Sequence, residues 1–321
     1  MYVAQLNLSS TVHWSKNAVT VAGSWSGQDG SSLNKLYLNS GLYIADDGIL
    51  YVADTGNRRI VLIKPNSTTA VATIGTGSIS GGFEFGSVVD VFVSKTYIYV
   101  LDRGAEQVQK WLINASNPNT VYGNPQSIIS IPQSSYFFVD KDNNLYVSGS
   151  YTATVIRIPS DSSNGNNGVV VAGNGIYGSG PEQLTYPCGI FVDDARTVYV
   201  ADSNNHRIQK WAVEASFGVT VAGNGMCNIN SLSQICNPTS VVVDSNQYIF
   251  TVDNYFFRIL RWAPNSNVGE CIAACSGNEG LQSDHLSHVS AIALDGHGSL
   301  YVSDQDNNRV QKFQVIVNFG K

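Results

Sequence analysis

The sequence is poor in charge: charged residues make up 13% of its 321 residues, against about 25% in typical soluble domains. Its 18 basic residues are thinly spread, and the formal net charge is −6. Nucleic-acid binders need a concentrated basic face, because neutralising phosphates supplies most of their affinity. The charge distribution therefore disfavours a nucleic-acid partner.

Long hydrophobic runs are also missing. No stretch approaches the roughly 18 consecutive apolar residues of a membrane span, so no span is predicted. Residues 1–14, MYVAQLNLSSTVHW, contain neither a basic n-region nor an apolar h-region, so no signal peptide is predicted. Two alternatives stay open: a cytoplasmic protein, or an extracellular protein from which a signal was removed.

Catalytic signatures are missing as well. There is no GxSxG nucleophile elbow and no GxxxxGKS phosphate loop. Histidine occurs five times, and its only closely spaced pair is His285 and His288 in SDHLSHVS (283–290). With Asp284 beside it, this pair is a candidate for metal ligands; the alternative is a polar connecting loop. We predict no catalytic residue and no cofactor, with calcium or zinc as the alternative.

What the sequence does contain is a repeat. The phrase LYVADTGNRRI (50–60) recurs as VYVADSNNHRI (198–208) and LYVSDQDNNRV (300–310), with three weaker copies between them. The residue after each β-rich triplet recurs about every 50 residues, which is typical of repeat architectures. These six residues are Asp54, Asp102, Gly149, Asp202, Asp253 and Asp304.

Each repeat predicts four short strands, since clusters of β-branched and aromatic residues alternate with Gly, Asn, Asp and Pro. Four-stranded sheets repeated radially form a propeller. We therefore predict an all-β, six-bladed β-propeller of four-stranded antiparallel blades. AVTVAG (18–23) has the pattern of an outer strand, and the chain ends soon after a third strand, RVQKF (309–313). The N-terminal strand should complete the last blade and close the ring, which leaves no open sheet edge.

The predicted domain organisation follows from this closure. Residues 1–17 form an N-terminal arm or extra strand, and residues 18–321 form the propeller. VIVNF (315–319) is expected to extend the last blade. The blades lie near residues 36–74, 87–122, 134–172, 187–222, 238–273 and 288–317, and residues 18–22 close the last one.

The phrase VYVADSNNHRIQKW (198–211) resembles the NHL repeat, in which a strand-terminal Asp is followed by Asn, His or Arg and then by an apolar strand. The resemblance covers about residues 18–317. Blade five departs from the pattern at Phe256, and blades two and three keep little of it. The pattern is complete in three blades, through Asp54, Asn57 and Arg59, through Asp202, Asn205 and Arg207, and through Asp304, Asn307 and Arg309.

We interpret this set as structural. An Asp at a strand end accepts hydrogen bonds from turn amides, and an Arg five residues later can pair with it through its planar fork. The set recurs around the ring, whereas a chemical site is normally made once. Repetition likewise indicates packing for Trp111, Trp211 and Trp262. Trp25, in the loop GSWSGQDG (23–30), lies outside that pattern and is a candidate contact residue.

The chain has five cysteines. Cys227 and Cys236 bracket a loop and are predicted to form a disulfide, which favours an oxidising compartment. Residues four apart in a strand are about 13 Å apart, and a disulfide needs Cα atoms within about 7 Å. Cys271 and Cys275 can therefore bond only if their strand breaks into a turn. Cys188 is predicted to be a free, buried thiol.

The resemblance implies an interaction module. NHL-like propellers mostly bind proteins and in some cases RNA, and a chain without a RING finger, coiled coil or kinase domain resembles secreted, stand-alone NHL proteins. We therefore predict an extracellular binding scaffold that presents its loop faces to a protein or glycan partner. Two alternatives stay open: a metal-dependent enzyme similar to peptidylamidoglycolate lyases or lactonases, and a self-assembling, homo-oligomeric structural protein.

Overall fold

The computed structural model describes residues 6–8, 11–75, 85–113, 127–131, 134–162 and 167–316. Parts of the predicted elements lie outside these residues: 1–5 and 9–10 of the arm, 114–122 of the second blade, 163–166 of the third blade, and 317–319 of the last strand. Within the described part of the chain, no helix has the length and apolar character that a membrane span requires.

The described residues form six four-stranded antiparallel sheets and one two-stranded sheet. Strands β1 (His13–Trp14) and β2 (Val19–Gly23) precede the first complete blade. Blade one contains β3 (Leu42–Ile44), β4 (Leu50–Asp54), β5 (Arg59–Ile63) and β6 (Ala72–Gly75). Blade two contains β7 (Val88–Val93), β8 (Tyr97–Asp102), β9 (Gln107–Leu112) and β10 (Ser127–Ser130). Blade three contains β11 (Ser134–Val139), β12 (Leu145–Gly149), β13 (Thr154–Ile158) and β14 (Val169–Ala172).

The second half of the chain repeats this arrangement. Blade four contains β15 (Pro187–Val192), β16 (Val198–Asp202), β17 (Arg207–Trp211) and β18 (Val219–Gly223). Blade five contains β19 (Val241–Val243), β20 (Ile249–Asp253), β21 (Arg258–Trp262) and β22 (Glu270–Ala273). Blade six contains β23 (Val289–Leu294), β24 (Leu300–Asp304) and β25 (Arg309–Phe313), and β26 (Val315–Ile316) follows.

In each blade the four strands are called A to D, from the propeller axis to the rim. Each A strand contacts the A strand of the next blade, and β23 contacts β3, so the sheets close into a ring. Neighbouring blades cover both faces of the B strands, and β4 and β16 are buried at every position. This burial explains why these segments are continuous apolar runs without alternation. The all-β, six-bladed propeller predicted from the repeat is therefore confirmed.

The N-terminal strand closes the ring as predicted. Strand β2 pairs with β25 as the D strand of blade six, with Val19 opposite Lys312 and Gly23 opposite Arg309. Blade six thus takes three strands from the C-terminal end of the chain and one from the N-terminal end. Covering the outer edge of β25 in this way gives blade six the same four-stranded form as the other blades, with β2 as its rim strand.

The segment before β2 packs against blades five and six. Strand β1 pairs with β26, with Trp14 opposite Val315. The Trp14 indole donates to the Gly298 carbonyl at 2.8 Å, and its ring meets Phe250 edge-on at a centroid distance of 5.8 Å. Leu6 is also buried against these blades. The described residues before β2 therefore extend the closure beyond that single strand.

Large aromatic side chains fill the space between the C strands and the rim. Trp111, Trp211 and Trp262 are all buried, in agreement with the packing role that their repetition predicts. The chain passes so close to two of these rings that a Cβ on Gly218 would lie 2.8 Å from Trp211, and one on Gly269 would lie 2.7 Å from Trp262. Glycine is therefore required at both positions for close packing.

Truncation tests the closure. We expect a chain that begins at Ser24 to melt at a temperature lower by about 10 °C or more, because β25 loses its partner strand and several apolar side chains become exposed. Thermal denaturation followed by circular dichroism measures the change, with a chain that begins at Leu6 as the control. A chain beginning at Ser24 that melts with the control would contradict closure by β2.

Candidate functional site

The B–C turns and the connections from strand D to the next strand A emerge at the same end of the antiparallel blades, and we name this end the loop face. Four of the B–C turns are short 3₁₀ turns, each followed by a residue with a left-handed backbone. The Asp–Asn–Arg sets lie at these turns. The loop face is therefore the place where the repeat motif meets the variable connections.

In blade four the carboxylate of Asp202 is buried and joins the turn to the preceding connection. The Thr185 N–H donates to Asp202 Oδ1 at 2.7 Å. The Asn205 amide and Arg207 Nε both donate to Asp202 Oδ2 at 2.8 Å. Burial raises the pKa of Asp202, and these three donors act in the opposite direction.

The rest of the Arg207 guanidinium holds the connection itself. Nη1 donates to the Ser179 carbonyl at 2.8 Å, and Nη2 donates to the carbonyls of Gly180 and Gln183, both at 3.0 Å. We name this arrangement the Asp–Arg clamp. It is repeated in blade one by Arg59 with the carbonyls of Ser31, Ser32 and Lys35, and in blade six by Arg309 with those of Leu281, Gln282 and His285.

Blades two, three and five depart from the complete clamp, and blade three has Gly149 in place of the Asp. Blade five keeps an ion pair between Asp253 and Arg258 at 2.8 Å, but Arg258 Nη1 donates to the Asn230 side chain. Phe256 replaces the Asn of the motif, and its ring centroid lies 5.2 Å from the guanidinium carbon. In blade two, the described donors to Asp102 are the backbone amides of Gly86, Ser87 and Ala105.

The connection into blade five is also cross-linked. The predicted disulfide between Cys227 and Cys236 is present, with a Cα–Cα distance of 5.1 Å. Cys188 has no disulfide partner among the described residues, in agreement with the predicted free thiol, and it is half-buried. Its position at the start of an A strand leaves it beside the channel.

A second disulfide joins Cys271 and Cys275, with a Cα–Cα distance of 5.8 Å. The sequence left this pair open because an unbroken strand would hold the two residues too far apart. The strand ends at Ala273, and Ala274 has a left-handed backbone with φ of 53°. The chain therefore turns where the bond requires it, and the two disulfides are typical of an oxidising compartment.

The clamped connections display apolar side chains to solvent. Trp25, the candidate contact residue, is 79% exposed. The clamp holds the backbone of such a connection through its carbonyls, so the side chains at its tip are presented on a fixed support. Further exposed apolar residues in these connections are Leu33, Ile176, Met226, Ile229 and Leu281.

Three tyrosines form an exposed cluster between blades three and four. The rings of Tyr177 and Tyr186 stack at a centroid distance of 5.5 Å, and Tyr151 meets Tyr186 edge-on at 5.8 Å. The Tyr177 hydroxyl donates to the Ser150 carbonyl at 3.1 Å, which joins the connection to the B–C turn of blade three. All three rings are exposed, Tyr151 by 65%.

The two candidate metal ligands, His285 and His288, have different hydrogen-bond partners in the structure. His285 Nδ1 lies 2.8 Å from Asp284 Oδ1, whereas His288 Nδ1 lies 3.5 Å from the Asn254 amide. Among the described residues, no group of three or more His, Cys, Asp or Glu side chains could hold a metal ion.

The A strands line a channel along the axis with a cavity of about 120 Å³. Aromatic rings from blades one to four form an arc around it: Tyr43 and Phe92 are 4.9 Å apart between centroids, Phe92 and Phe138 are 6.0 Å apart, and Phe138 and Phe191 are 5.3 Å apart. Blades five and six place the smaller residues Val242 and Ala293 at the equivalent positions. The channel lining is therefore aromatic on the side of blades one to four and consists of smaller aliphatic residues on the side of blades five and six.

Tyr136 crosses this channel. Its hydroxyl lies 3.5 Å from the Ser290 carbonyl, which belongs to the opposite blade. Burial is the main cause that raises the pKa of Tyr136, and the nearby Cys188 and Asp90 act in the same direction. Tyr136 is thus a neutral phenol that divides the channel at the level of Asp90.

Asp90 is the single charged side chain among the described residues that line the channel. Its Oδ1 accepts the Val91 N–H at 2.9 Å, and the Phe137 N–H also donates to the carboxylate. Any side chain at Gly41 would overlap Asp90, so glycine there makes room for it. No Lys, Arg or His of the described chain forms an ion pair with Asp90. Burial raises the pKa of Asp90 to about 7.

Sequence reasoning missed the tyrosine cluster and the channel residues. Tyr151, Tyr177 and Tyr186 are separated in the sequence, and each lies in a loop that differs from its counterparts. Asp90 carried one usable signal, since it interrupts the apolar strand VVDVFV (88–93). A charged residue at that point of a central strand contradicts the pattern of the other blades.

The clamp is tested by removing its cation. We expect Arg207→Ala to lower the free energy of unfolding by about 3–5 kcal/mol, because Asp202 is left buried without a counter-ion. Arg196→Ala is the matched control, since its pair with Asp142 is exposed and should be worth less than about 1 kcal/mol. Urea denaturation measures both changes. Equal losses in the two variants would show that the clamp adds nothing beyond an ordinary surface pair.

The isolated carboxylate gives a pH-dependent prediction. The folded-state pKa of Asp90 is raised from 3.8 to about 7. Ionised Asp90 therefore lowers the free energy of unfolding; this destabilisation is absent below pH 4 and grows as the pH rises to about 7. We expect Asp90→Asn to stabilise the protein over the same interval, by up to about 4 kcal/mol at neutral pH. Urea denaturation across this range, with the exposed Asp47→Asn as control, measures the difference. A stability difference that does not vary with pH would contradict the assignment.

Comparison with known proteins places the fold. Residues 184–211 match the family model of the NHL repeat, and they include Asp202, Asn205 and Arg207 of the blade-four clamp. A search of curated proteins found no relative of this sequence.

Solved structures share the architecture at low identity. Virginiamycin B lyase from Staphylococcus aureus is 11% identical, with a TM-score of 0.59 over 95% of this chain and 100% of that one. The PQQ-bound aldose sugar dehydrogenase from Streptomyces coelicolor is 15% identical, with a TM-score of 0.61 over 97% and 100%. A gluconolactonase from Xanthomonas campestris is 10% identical, with a TM-score of 0.58 over 97% and 99%. At these identities the likeness concerns the fold alone, and the chain is a six-bladed β-propeller that carries an NHL repeat.

Proposed function

We propose that this propeller is a binding module whose loop face engages an extracellular protein or glycan partner. The observation that carries the proposal is the exposed aromatic and apolar set on clamped connections, with the tyrosine cluster as its best-defined part. Aromatic side chains with one apolar face and one polar tip are favoured at binding surfaces because they bury a large area at low entropic cost.

The rigidity of the connections supports this function. A loop that must order itself on binding loses conformational entropy, which reduces affinity. Here Arg207 and Asp202 already hold the connection that carries Tyr177 and Tyr186. The Cys227–Cys236 disulfide holds the next connection. The loop face is thus organised before any partner arrives, and its two disulfides fit the extracellular setting of the proposal.

The enzymatic alternative has weaker support. The lyase, the dehydrogenase and the gluconolactonase share the fold of this chain, but propeller folds host unrelated activities. Activity has to be argued from a site, and His285 and His288 do not share a partner in the structure. Self-assembly would use the exposed valines of the outer strands, which serve as the control surface in the experiment below.

Matched triple variants test the loop face. We expect Trp25→Ser, Tyr151→Ser and Tyr186→Ser in one chain to weaken binding to any recognised glycan or extracellular protein at least tenfold, because aromatic anchors dominate such interfaces. The control carries Val19→Ser, Val169→Ser and Val219→Ser, which are exposed residues of the outer strands. Glycan arrays and cross-linked capture from extracellular fluid provide the measurement.

The two variants distinguish binding through the loop face from self-assembly through the rim. Loss of binding in the rim variant with retention in the loop-face variant would overturn the proposal. A change of oligomeric state confined to the rim variant, measured by light scattering, would favour self-assembly.

A further inference from the structure

The channel holds a negative charge that the protein itself does not balance. The carboxylate of Asp90 is half-buried between blades one, two and three, and its described protein partners are the backbone amides of Val91 and Phe137. A buried carboxylate that no cation pairs with is costly. The buried carboxylates that end the B strands of blades one, four, five and six each pair with an arginine, whereas Asp90 lies within an A strand and has no such pair among the described residues.

Aromatic rings lie beside this carboxylate. Asp90 and Phe92 lie two residues apart on one strand, so both side chains face the channel. Tyr43 continues the wall on one side and Phe138 continues it on the other, with centroids 4.9 and 6.0 Å from that of Phe92. The face of an aromatic ring attracts a cation within about 6 Å of its centroid. A carboxylate and several ring faces thus converge on one cavity.

The donor set favours an organic cation over a metal ion. Calcium is bound by six to eight oxygens that include several carboxylates, and zinc prefers Cys and His ligands. The described channel lining offers one carboxylate, the neutral oxygens of Tyr43, Tyr136 and Ser240, and apolar surface. A single positive charge carried on an apolar body matches this composition.

We propose that the channel binds a small organic ammonium ion, with Asp90 as its counter-ion and the rings of Tyr43, Phe92 and Phe138 around its alkyl body. The cavity of about 120 Å³ is several times the space that one water molecule needs. It therefore suits an alkylammonium group of a few carbon atoms, either a free amine or the end of a longer molecule. This site is independent of the loop face.

The charge state of the channel depends on few groups. Burial raises the pKa of Tyr43 to about 12 and that of Cys188 to about 11, and it also raises the pKa of Tyr136. These groups are neutral between pH 5 and pH 8, and the Arg103 guanidinium acts on Tyr136 as a nearby cation. Asp90 is then the group whose ionisation controls cation binding in this interval.

Propylammonium chloride is the probe for the first experiment, titrated into the full chain and followed by NMR. We expect a dissociation constant in the millimolar range, which is typical of so small a ligand. Binding should be at least tenfold weaker at about pH 5 than at about pH 8, because Asp90 is protonated at the lower value. The neutral analogue 1-propanol should bind at least tenfold more weakly at the higher pH.

Two variants separate the carboxylate from the rings. Asp90→Asn should abolish propylammonium binding, and Phe92→Leu should weaken it several-fold while the pH profile is kept. Asp161→Asn, on an exposed turn outside the channel lining, is the matched control and should bind as the parent protein does. The NMR spectrum of each variant reports whether the fold is retained, and Phe92→Leu serves alone if Asp90→Asn is misfolded.

Each contrary result overturns the proposal. Equal binding of propylammonium to the parent protein and Asp90→Asn would place the ligand elsewhere. Equal binding of 1-propanol would reduce the site to an apolar cavity. Saturable binding of calcium or zinc that propylammonium cannot displace would assign the carboxylate to a metal. No detectable binding of propylammonium at tens of millimolar would leave Asp90 as a cap for the amides of Val91 and Phe137.

Discussion

The buried Asp–Arg ion pair at the B–C turns is the interaction on which the organisation of the loop face depends. An irregular connection has backbone carbonyls that no strand partner satisfies, and a buried carboxylate needs a counter-ion. Arg207 meets both requirements, because one guanidinium nitrogen pairs with Asp202 while the other two reach the connection. A lysine could supply the charge but lacks the planar fork that spans both partners. The conformation of each clamped connection is thus tied to the B strand of the blade that follows it.

The clamp also separates structure from variation. It fixes the carbonyls of a connection and leaves its side chains free to differ, so Trp25 in one connection and Tyr177 in another stand on the same support. Function in repeat folds is concentrated at such differences. Blade three lacks the clamp and contributes Tyr151, while the clamp of blade four holds Tyr177 and Tyr186. The most aromatic part of the loop face therefore lies between blade three, which lacks the clamp, and blade four, which has it.

The channel is uneven for a comparable reason. The A strands need only pair with their B strands and contact each other at the axis, so the side chains that point into the channel are free to vary. Blades one to four use aromatic rings there, and blades five and six use Val242 and Ala293. Gly41 gives the Asp90 carboxylate its space, and Tyr136 crosses to the opposite blade. Three departures from the repeat thus create one polar position inside an apolar channel.

The sequence by itself determined the architecture. The six copies of the repeat predicted the number of blades, the four strands of each blade and the closing role of β2. These features depend on local strand propensity and on the regular spacing of the copies. The Cys227–Cys236 bond was predictable for the same local reason. The Cys271–Cys275 bond was not, since it depends on the left-handed backbone of Ala274. Only the tertiary structure decided which exceptional residues meet: Tyr151 with Tyr186, Tyr136 with Ser290, and Asp90 with Gly41. Such contacts join residues from different blades, and a repeat reports what the blades share but not how their differences face each other across the axis.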